Sequence, residues 1–311
     1  MGARHGRITR RYVQIDFTSA GADGWSRSSR RFENGLNALS FLFPAGERYF
    51  INSVRNYMDR ITDPVLKEQA RRFIYQEAMH AKEHARANQV LKQVHPYGSE
   101  MERLAGSLLA LGRRLMPKST QLANSCAIEH LTAILADALL RDQKTVRSEY
   151  EPAFAALWLW HAVEETEHKA VCFDVYQYVC GKGFFSYLHR VGIMVATSLS
   201  FLFVMAVGFS LIKWKQKRRR FAAAASGRAG KASPQATTAP TIATFLKLIS
   251  WRLYFDYYRR SFHPWDHDNG HLIDEWKQYY ARFGERPAAA AGAETGFNTP
   301  MMACGTPADN S

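Results

Sequence analysis

The chain has 311 residues, with 41 Lys and Arg against 28 Asp and Glu, for a formal charge of +13. That balance suits an anionic membrane surface or nucleic acid. The basic residues gather in two blocks, Arg4, Arg7, Arg10 and Arg11 and then Lys213, Lys215, Lys217 and Arg218 to Arg220; neither is interleaved with base-stacking aromatics, so no nucleic acid is expected as a partner.

The length suffices for one domain with a substantial core plus appendages. Cys126, Cys172, Cys180 and Cys304 form no C-x-x-C pair, which argues against a zinc ribbon or a disulfide framework. Cys172 and Cys180 lie in apolar helical surroundings and read as small core residues. The N-terminal stretch has no apolar h-region, and Gly6 stands where a myristoylation signal needs Ser or Thr. The expectation is a cytoplasmic or cytoplasm-facing protein.

Strand signals are scarce, and helical periodicity dominates the chain. A first helix is predicted over 35 to about 60, interrupted near Pro44. A second starts at Pro64 with Asp63 as its N-cap and runs through "YQEAMHAKEH". A third begins at Gly98 and is stopped by Pro117; a fourth follows from Lys118. A fifth is predicted from Pro152 through "WHAVEETEHKA" to a stop at Gly181. Several exceed twenty residues, the length expected of an antiparallel bundle.

Residues 191 to 212 carry no charge at all, and the basic block follows at once with Trp214 as an interfacial anchor. At about 1.5 Å per residue such a helix matches a hydrocarbon core of roughly 30 Å. An Ala/Ser-rich linker, an amphipathic helix over 241 to 258, the motif "FHPWDHD" and a short last helix complete the ordered chain. The expected organisation is a basic segment (1–30), a helical bundle (31–185), an apolar helix with basic flank (186–220), a linker (221–240), C-terminal helices (241–285) and a disordered tail (286–311).

The chemistry lies in a repeated pattern. Glu77-x-x-His80 with His84, and His161 with Glu165-x-x-His168, each line one face of a helix. Glu47 and Glu129 stand among apolar neighbours on two further helices. The order Glu, Glu-x-x-His, Glu, Glu-x-x-His matches a ferritin-like dinuclear carboxylate site. A Glu at position i can bridge two cations while the His at i+3 ligates one, so Glu77 and Glu165 are the candidate catalytic residues. Mixed oxygen and nitrogen ligation suits two divalent ions, iron first, with manganese or zinc as alternatives. His84 and His161 read either as ligands or as donors that orient a carboxylate. Glu164 could replace Glu165, Glu167 is expected to face solvent, and Glu83 and His130 to be peripheral. Asp137 and Asp174 are candidate partners behind the ligands.

The blocks "FPAGERYFINSVR", "FIYQEAMHAKEHARAN", "WLWHAVEETEHKAVCFDVY" and "RRSFHPWDHD" resemble the bacterial family of predicted metal-dependent hydrolases, over roughly residues 30 to 285. The resemblance implies an all-α, ferritin-like metal-binding bundle; it implies no particular substrate.

Ligand chemistry by itself favours O₂-dependent oxidation of an apolar or lipid-like small molecule, which would need an electron donor. Hydrolysis by a metal-activated water is the alternative, and a non-catalytic metal-binding bundle is the third. The apolar helix adds a membrane surface as a partner. A single crossing would put the basic flank and the bundle on opposite sides with no signal to export the bundle. Attachment to the cytoplasmic side as a monotopic element or hairpin, or burial of the helix against the bundle, is therefore expected.

Overall fold

The computed structural model describes residues 8–27, 29–95, 97–225 and 249–284. Arg4, Arg7, Cys304, most of the expected linker, residues 241–248 and the expected tail lie outside the described residues. Besides one short 3-10 turn (Pro264–Asp266), ten α-helices occur among those described. They are α1 (Arg30–Arg55), α2 (Pro64–Val94), α3 (Gly98–Leu115), α4 (Lys118–Arg141), α5 (Gln143–Glu149), α6 (Pro152–His168), α7 (Val171–Cys180), α8 (Phe184–Ala225), α9 (Trp251–Asp256) and α10 (Gly270–Gly284). The chain is all-α, and the described residues form no sheet beyond one isolated bridge between Ser26 and Tyr150.

Local chemistry accounts for most boundaries. Asp63 caps α2 by accepting from Val65 N and Leu66 N, with Pro64 in the first turn. Glu151 caps α6 in the same way, ahead of Pro152. Gly181 closes α7 with φ of 81°, a left-handed conformation that glycine adopts without steric cost.

Several expected boundaries differ: α1 spans Arg30–Arg55 and not 35 to about 60, and the described part of the expected 241–258 helix is helical only over Trp251–Asp256. No interruption occurs near Pro44, because α1 runs unbroken through it. Proline lacks the N–H that the carbonyl four residues back would receive; here that carbonyl, of Ser40, accepts instead from Asn88 Nδ2 at 2.9 Å. The expected fifth helix divides after His168. Lys169 and Ala170 keep right-handed dihedrals, but the regular ladder lapses until α7. There the Lys169 ammonium is drawn to His267 O (2.6 Å) and Asn269 Oδ1 (2.7 Å) in the C-terminal segment.

Cross-helix contacts set the register. Gln76 meets His168, His80 meets Glu164, and His84 meets His161, so numbers rise along α2 as they fall along α6. Likewise Thr132 meets Glu165 and Glu129 meets His168 between α4 and α6. Ser40 meets His84 between α1 and α2, and Ser53 meets Ser125 between α1 and α4. The four helices α1, α2, α4 and α6 thus run antiparallel to their neighbours around one interior.

That interior is layered. Phe41, Leu91, Leu139 and Trp158 belong to one apolar cluster, and Phe50, Phe73, Leu122 and Val171 to another. On every bundle helix the Glu and His positions fall in the stretch between these clusters, so a polar layer is sealed at both ends.

Residues 8 to 17 form an extended strap. Arg11, Val13 and Ile15 are buried while Tyr12, Gln14 and Asp16 are exposed, the period of two of an extended chain. Thr9 N donates to Glu167 Oε2 and Ile15 N to Glu83 Oε2, each at 3.0 Å. Arg11 donates to Glu164 Oε1 at 3.0 Å and to Glu167 Oε1 at 2.5 Å. Glu167, expected on the surface, is therefore buried, because the strap covers the face it occupies.

Helix α8 lies along α4. Arg190, Met194, Thr197, Met205 and Phe209 recur at helical spacing and are buried, and Thr197 Oγ1 donates to Asn124 Oδ1 at 2.6 Å. Phe185, Leu188, Leu199 and Phe203 are exposed. The helix is apolar and long enough to cross a membrane, yet one side of it is part of the protein core.

Removing one partner of a buried ion pair leaves an uncompensated charge and costs about 3–5 kcal/mol. Arg11→Ala should lower stability by that order in urea unfolding followed by circular dichroism. A loss below about 1 kcal/mol would mean that the strap does not hold the bundle.

Candidate metal centre

The polar layer collects all eight residues singled out in the sequence. Within it Glu77, Glu129, Glu165 and His168 each offer a ligand atom within 4.8 Å of the others. Three further groups meet the same limit: Glu47, Glu77 and His80; His80, His161 and Glu165; and Glu47, His84 and His161. Glu77 belongs to the first two groups and joins them. All eight side chains are buried.

The donor atoms fit a cation. Both carboxylate oxygens of Glu47, Glu77 and Glu129, together with His80 Nδ1 and His168 Nε2, are buried without a hydrogen-bond partner. Such groups are costly to bury unsatisfied. His168 Nε2 lies 3.0 Å from Glu77 Oε1 and 3.4 Å from Glu129 Oε2, yet makes a hydrogen bond to neither. The atoms converge on shared space instead of pairing with one another, as ligands of a common ion do.

The remaining nitrogens of the two Glu-x-x-His histidines are held from behind. His80 Nε2 is 3.1 Å from Glu164 Oε2, and Glu164 is paired with Arg11. His168 Nδ1 is 2.9 Å from Gln76 Oε1, while Gln76 Nε2 donates to Glu167 Oε2 at 3.0 Å. An acceptor behind an imidazole fixes its ring orientation and leaves the inward nitrogen bare. His84 and His161 differ, since both nitrogens of each are engaged. His84 Nδ1 meets Ser40 Oγ at 2.8 Å, His84 Nε2 meets His161 Nδ1 at 2.7 Å, and His161 Nε2 meets Glu165 Oε1 at 3.0 Å. Phe43 and Trp158 pack against His84, Trp160 against His80 and Phe73 against His168.

Without a metal the layer is electrostatically crowded. Burial, reinforced by neighbouring carboxylates, pushes Glu47, Glu77 and Glu129 well above the usual carboxylate range. Burial also opposes charge on Glu165, but His168 and His161 outweigh it and hold this carboxyl low. Burial works against charge on His168, yet Glu165, Glu129 and Glu164 raise it to about 9. Burial and the adjacent His161 keep His80 and His84 neutral, well below the ordinary imidazole value. Glu164 is raised to about 8 by burial despite Arg11.

Other expected participants lie elsewhere. Glu83 is buried but serves Ile15 N and Arg86. His130 Nε2 is 3.0 Å from Leu253 O, beyond the layer. Asp137 binds Arg141 and Asn269, and Asp174 meets His263. Conversely, Arg11, Ser40, Gln76 and Asn88 carried no signal in the sequence, because their partners are dozens of residues away.

The model of the family described as "Predicted metal-dependent hydrolase" matches residues 9–268, from the strap to "FHPWDHD". The chain belongs to that family. No curated protein and no solved structure matches it. The matched span contains every member of the polar layer, so these buried Glu and His clusters are part of the family domain.

Two measurements follow. Glu77 is common to the two principal groups, so Glu77→Ala should lose bound metal by plasma mass spectrometry, and unchanged stoichiometry would defeat the assignment. In the metal-free protein, Glu164 and His168 retain protons when folded that they release when unfolded. Where the native state binds more protons, stability falls as pH rises. Metal-free protein should therefore lose stability steadily from pH 6.5 to 9 in urea titrations, and a flat profile would contradict the shifts on both groups.

Proposed function

We propose that the chain is a dinuclear metal-dependent hydrolase that acts on a small molecule through a metal-activated water. The observation that carries this reading is the set of unpartnered carboxylate oxygens of Glu47, Glu77 and Glu129 facing the unpartnered ring nitrogens His80 Nδ1 and His168 Nε2 inside the family domain. Glu77, Glu129, Glu165 and His168 would hold one ion, and Glu47, Glu77 and His80 the other. Two divalent ions bound there supply Lewis acidity and bring the pKa of water down to about 7.

The chain's own residues then have separable roles. Glu77 binds both positions. Glu164 orients His80 by accepting from its Nε2, which leaves Nδ1 free to face the layer. Gln76 keeps His168 aimed inward, and Phe43, Trp158 and Trp160 exclude water from the histidine side. The four-helix order of Glu and Glu-x-x-His also supports a ferritin-like classification.

One observation favours the oxidative alternative. The donor set is rich in carboxylates and walled by aromatic rings, which suits iron, O₂ and an apolar or lipid-like substrate with an external electron donor. Reconstitution with manganese, zinc and iron, assayed against ester, phosphoester and amide panels and in an oxygen electrode, separates the readings. Turnover of a panel substrate that falls at least about a hundredfold in Glu77→Ala is expected. O₂ uptake by ferrous protein with no hydrolysis would replace hydrolysis by oxidation, and metal binding with neither would leave a non-catalytic bundle.

We also assign the exposed side of α8 to an anionic membrane surface on the cytoplasmic side. Phe185, Leu188, Leu199 and Phe203 line that side, Trp214 and the exposed Lys213, Lys217 and Arg218 follow, and the whole helix carries no acidic residue. Since the other side is packed on α4, attachment is in-plane, as for an amphipathic interfacial helix. The full chain should sediment with vesicles containing phosphatidylserine, and Leu199→Glu with Phe203→Glu should abolish this. Unchanged sedimentation of that double variant would refute the face.

A further inference from the structure

His84 and His161 were equivalent in the sequence, each one turn from a Glu-x-x-His. The hydrogen bonds behind them make them unequal. The relay starts at Pro44. Having no N–H, Pro44 leaves the Ser40 carbonyl without its intrahelical donor. Asn88 Nδ2 fills that place at 2.9 Å. A carbonyl can only accept, so the amide of Asn88 has a single acceptable orientation, with Oδ1 turned toward Ser40 Oγ at 2.7 Å. Ser40 has one hydroxyl proton, and Asn88 Oδ1 takes it.

Ser40 Oγ is then an acceptor toward His84 Nδ1 at 2.8 Å, so His84 carries its proton on Nδ1. A neutral imidazole has one N–H, which leaves His84 Nε2 as an acceptor. Across 2.7 Å it receives the proton of His161 Nδ1. His161 Nε2 is consequently a bare lone pair, directed into the polar layer 3.0 Å from Glu165 Oε1 and 3.8 Å from Glu47 Oε1. Two acceptors facing each other at 3.0 Å are mutually repulsive unless a cation or a proton lies beside them.

From this relay we infer that His161 Nε2 is a third imidazole ligand of the dinuclear centre, at the ion assigned to Glu47, Glu77 and His80, and that Ser40, Asn88 and His84 are positioning residues that set its tautomer. His84 is not a ligand. The direction of the relay is set at the Pro44 end, by a helix defect, and is read out at the metal end. The inference rests on the reading that the layer binds metal. It adds a nitrogen donor to one half of an otherwise symmetric pattern, which makes the two ions inequivalent in both charge and Lewis acidity.

The test uses the full chain, labelled with ¹⁵N-histidine and loaded with zinc alone, and reads the ring nitrogens by NMR. His161 should show a protonated Nδ1 and a zinc-bound Nε2, and His84 a protonated Nδ1 with a bare, uncoordinated Nε2. Ser40→Ala should release the Nδ1 tautomer of His84 and weaken zinc at one position about 10- to 100-fold, the usual effect of losing an outer partner. Ser40→Thr, which keeps the oxygen, should restore both. If wild type binds zinc but through His84, or if Ser40→Ala leaves tautomers and affinity unchanged, the relay is wrong while the metal centre stands. If wild type binds no zinc, manganese or iron, the centre and the relay fall together.

Discussion

Three carboxylates with no hydrogen-bond partner are buried side by side in the middle of this protein, and that constraint organises everything around them. Glu47, Glu77 and Glu129 come from three helices, and their like charges cannot coexist in a low-dielectric interior without protons or cations. Burial and the neighbouring carboxylates therefore raise all three well above the usual carboxylate range. Divalent ions would neutralise them and tie the helices together at the same moment. A layer that requires a cation can only be kept if the rest of the bundle is stable enough to carry it. Apolar clusters on both sides supply that stability.

A second layer of polar groups supports the first. Arg11 reaches in from the strap to neutralise Glu164 and Glu167, and these in turn steady His80 and, through Gln76, His168. The arrangement links the outermost described residues of the chain to the orientation of imidazoles at its centre. It also explains a glutamate triplet that is redundant on paper. Glu164, Glu165 and Glu167 point to the strap side, the metal side and the strap again, so only the middle one enters the cluster. The donor set dictates charge and ligand direction for any ion that binds. The reaction then depends on which ion that is and on which substrate reaches it, and both hydrolysis and oxidation draw on the same carboxylates.

Helix α8 shows how a hydropathy pattern can serve two purposes. Its buried residues bolt it to α4, and Arg190 donates to Tyr257 O and Arg259 O, which holds the C-terminal segment in place. The opposite side stays apolar and exposed. A helix long and apolar enough to span a membrane is thus also, along one side, part of the protein core.

Much of the architecture could be read along the chain, because its causes are local. Apolar periodicity, Asp63 with Pro64, Pro152 and Gly181 mark helices through interactions within a few residues, and the repeated Glu-x-x-His places its side chains on one face by helical geometry alone. Orientation across helices is not local. Pro44 was expected to break α1, but a side chain 44 positions away supplies the missing donor. Glu167 was expected in solvent, but a strap from the far N-terminus buries it. His84 and His161 were interchangeable until Ser40 and Asn88 fixed their protons. Helical spacing depends on neighbouring residues and is therefore written in the sequence. Which nitrogen carries a proton, and which carboxylate finds a partner, depends on groups that only folding brings within 3 Å.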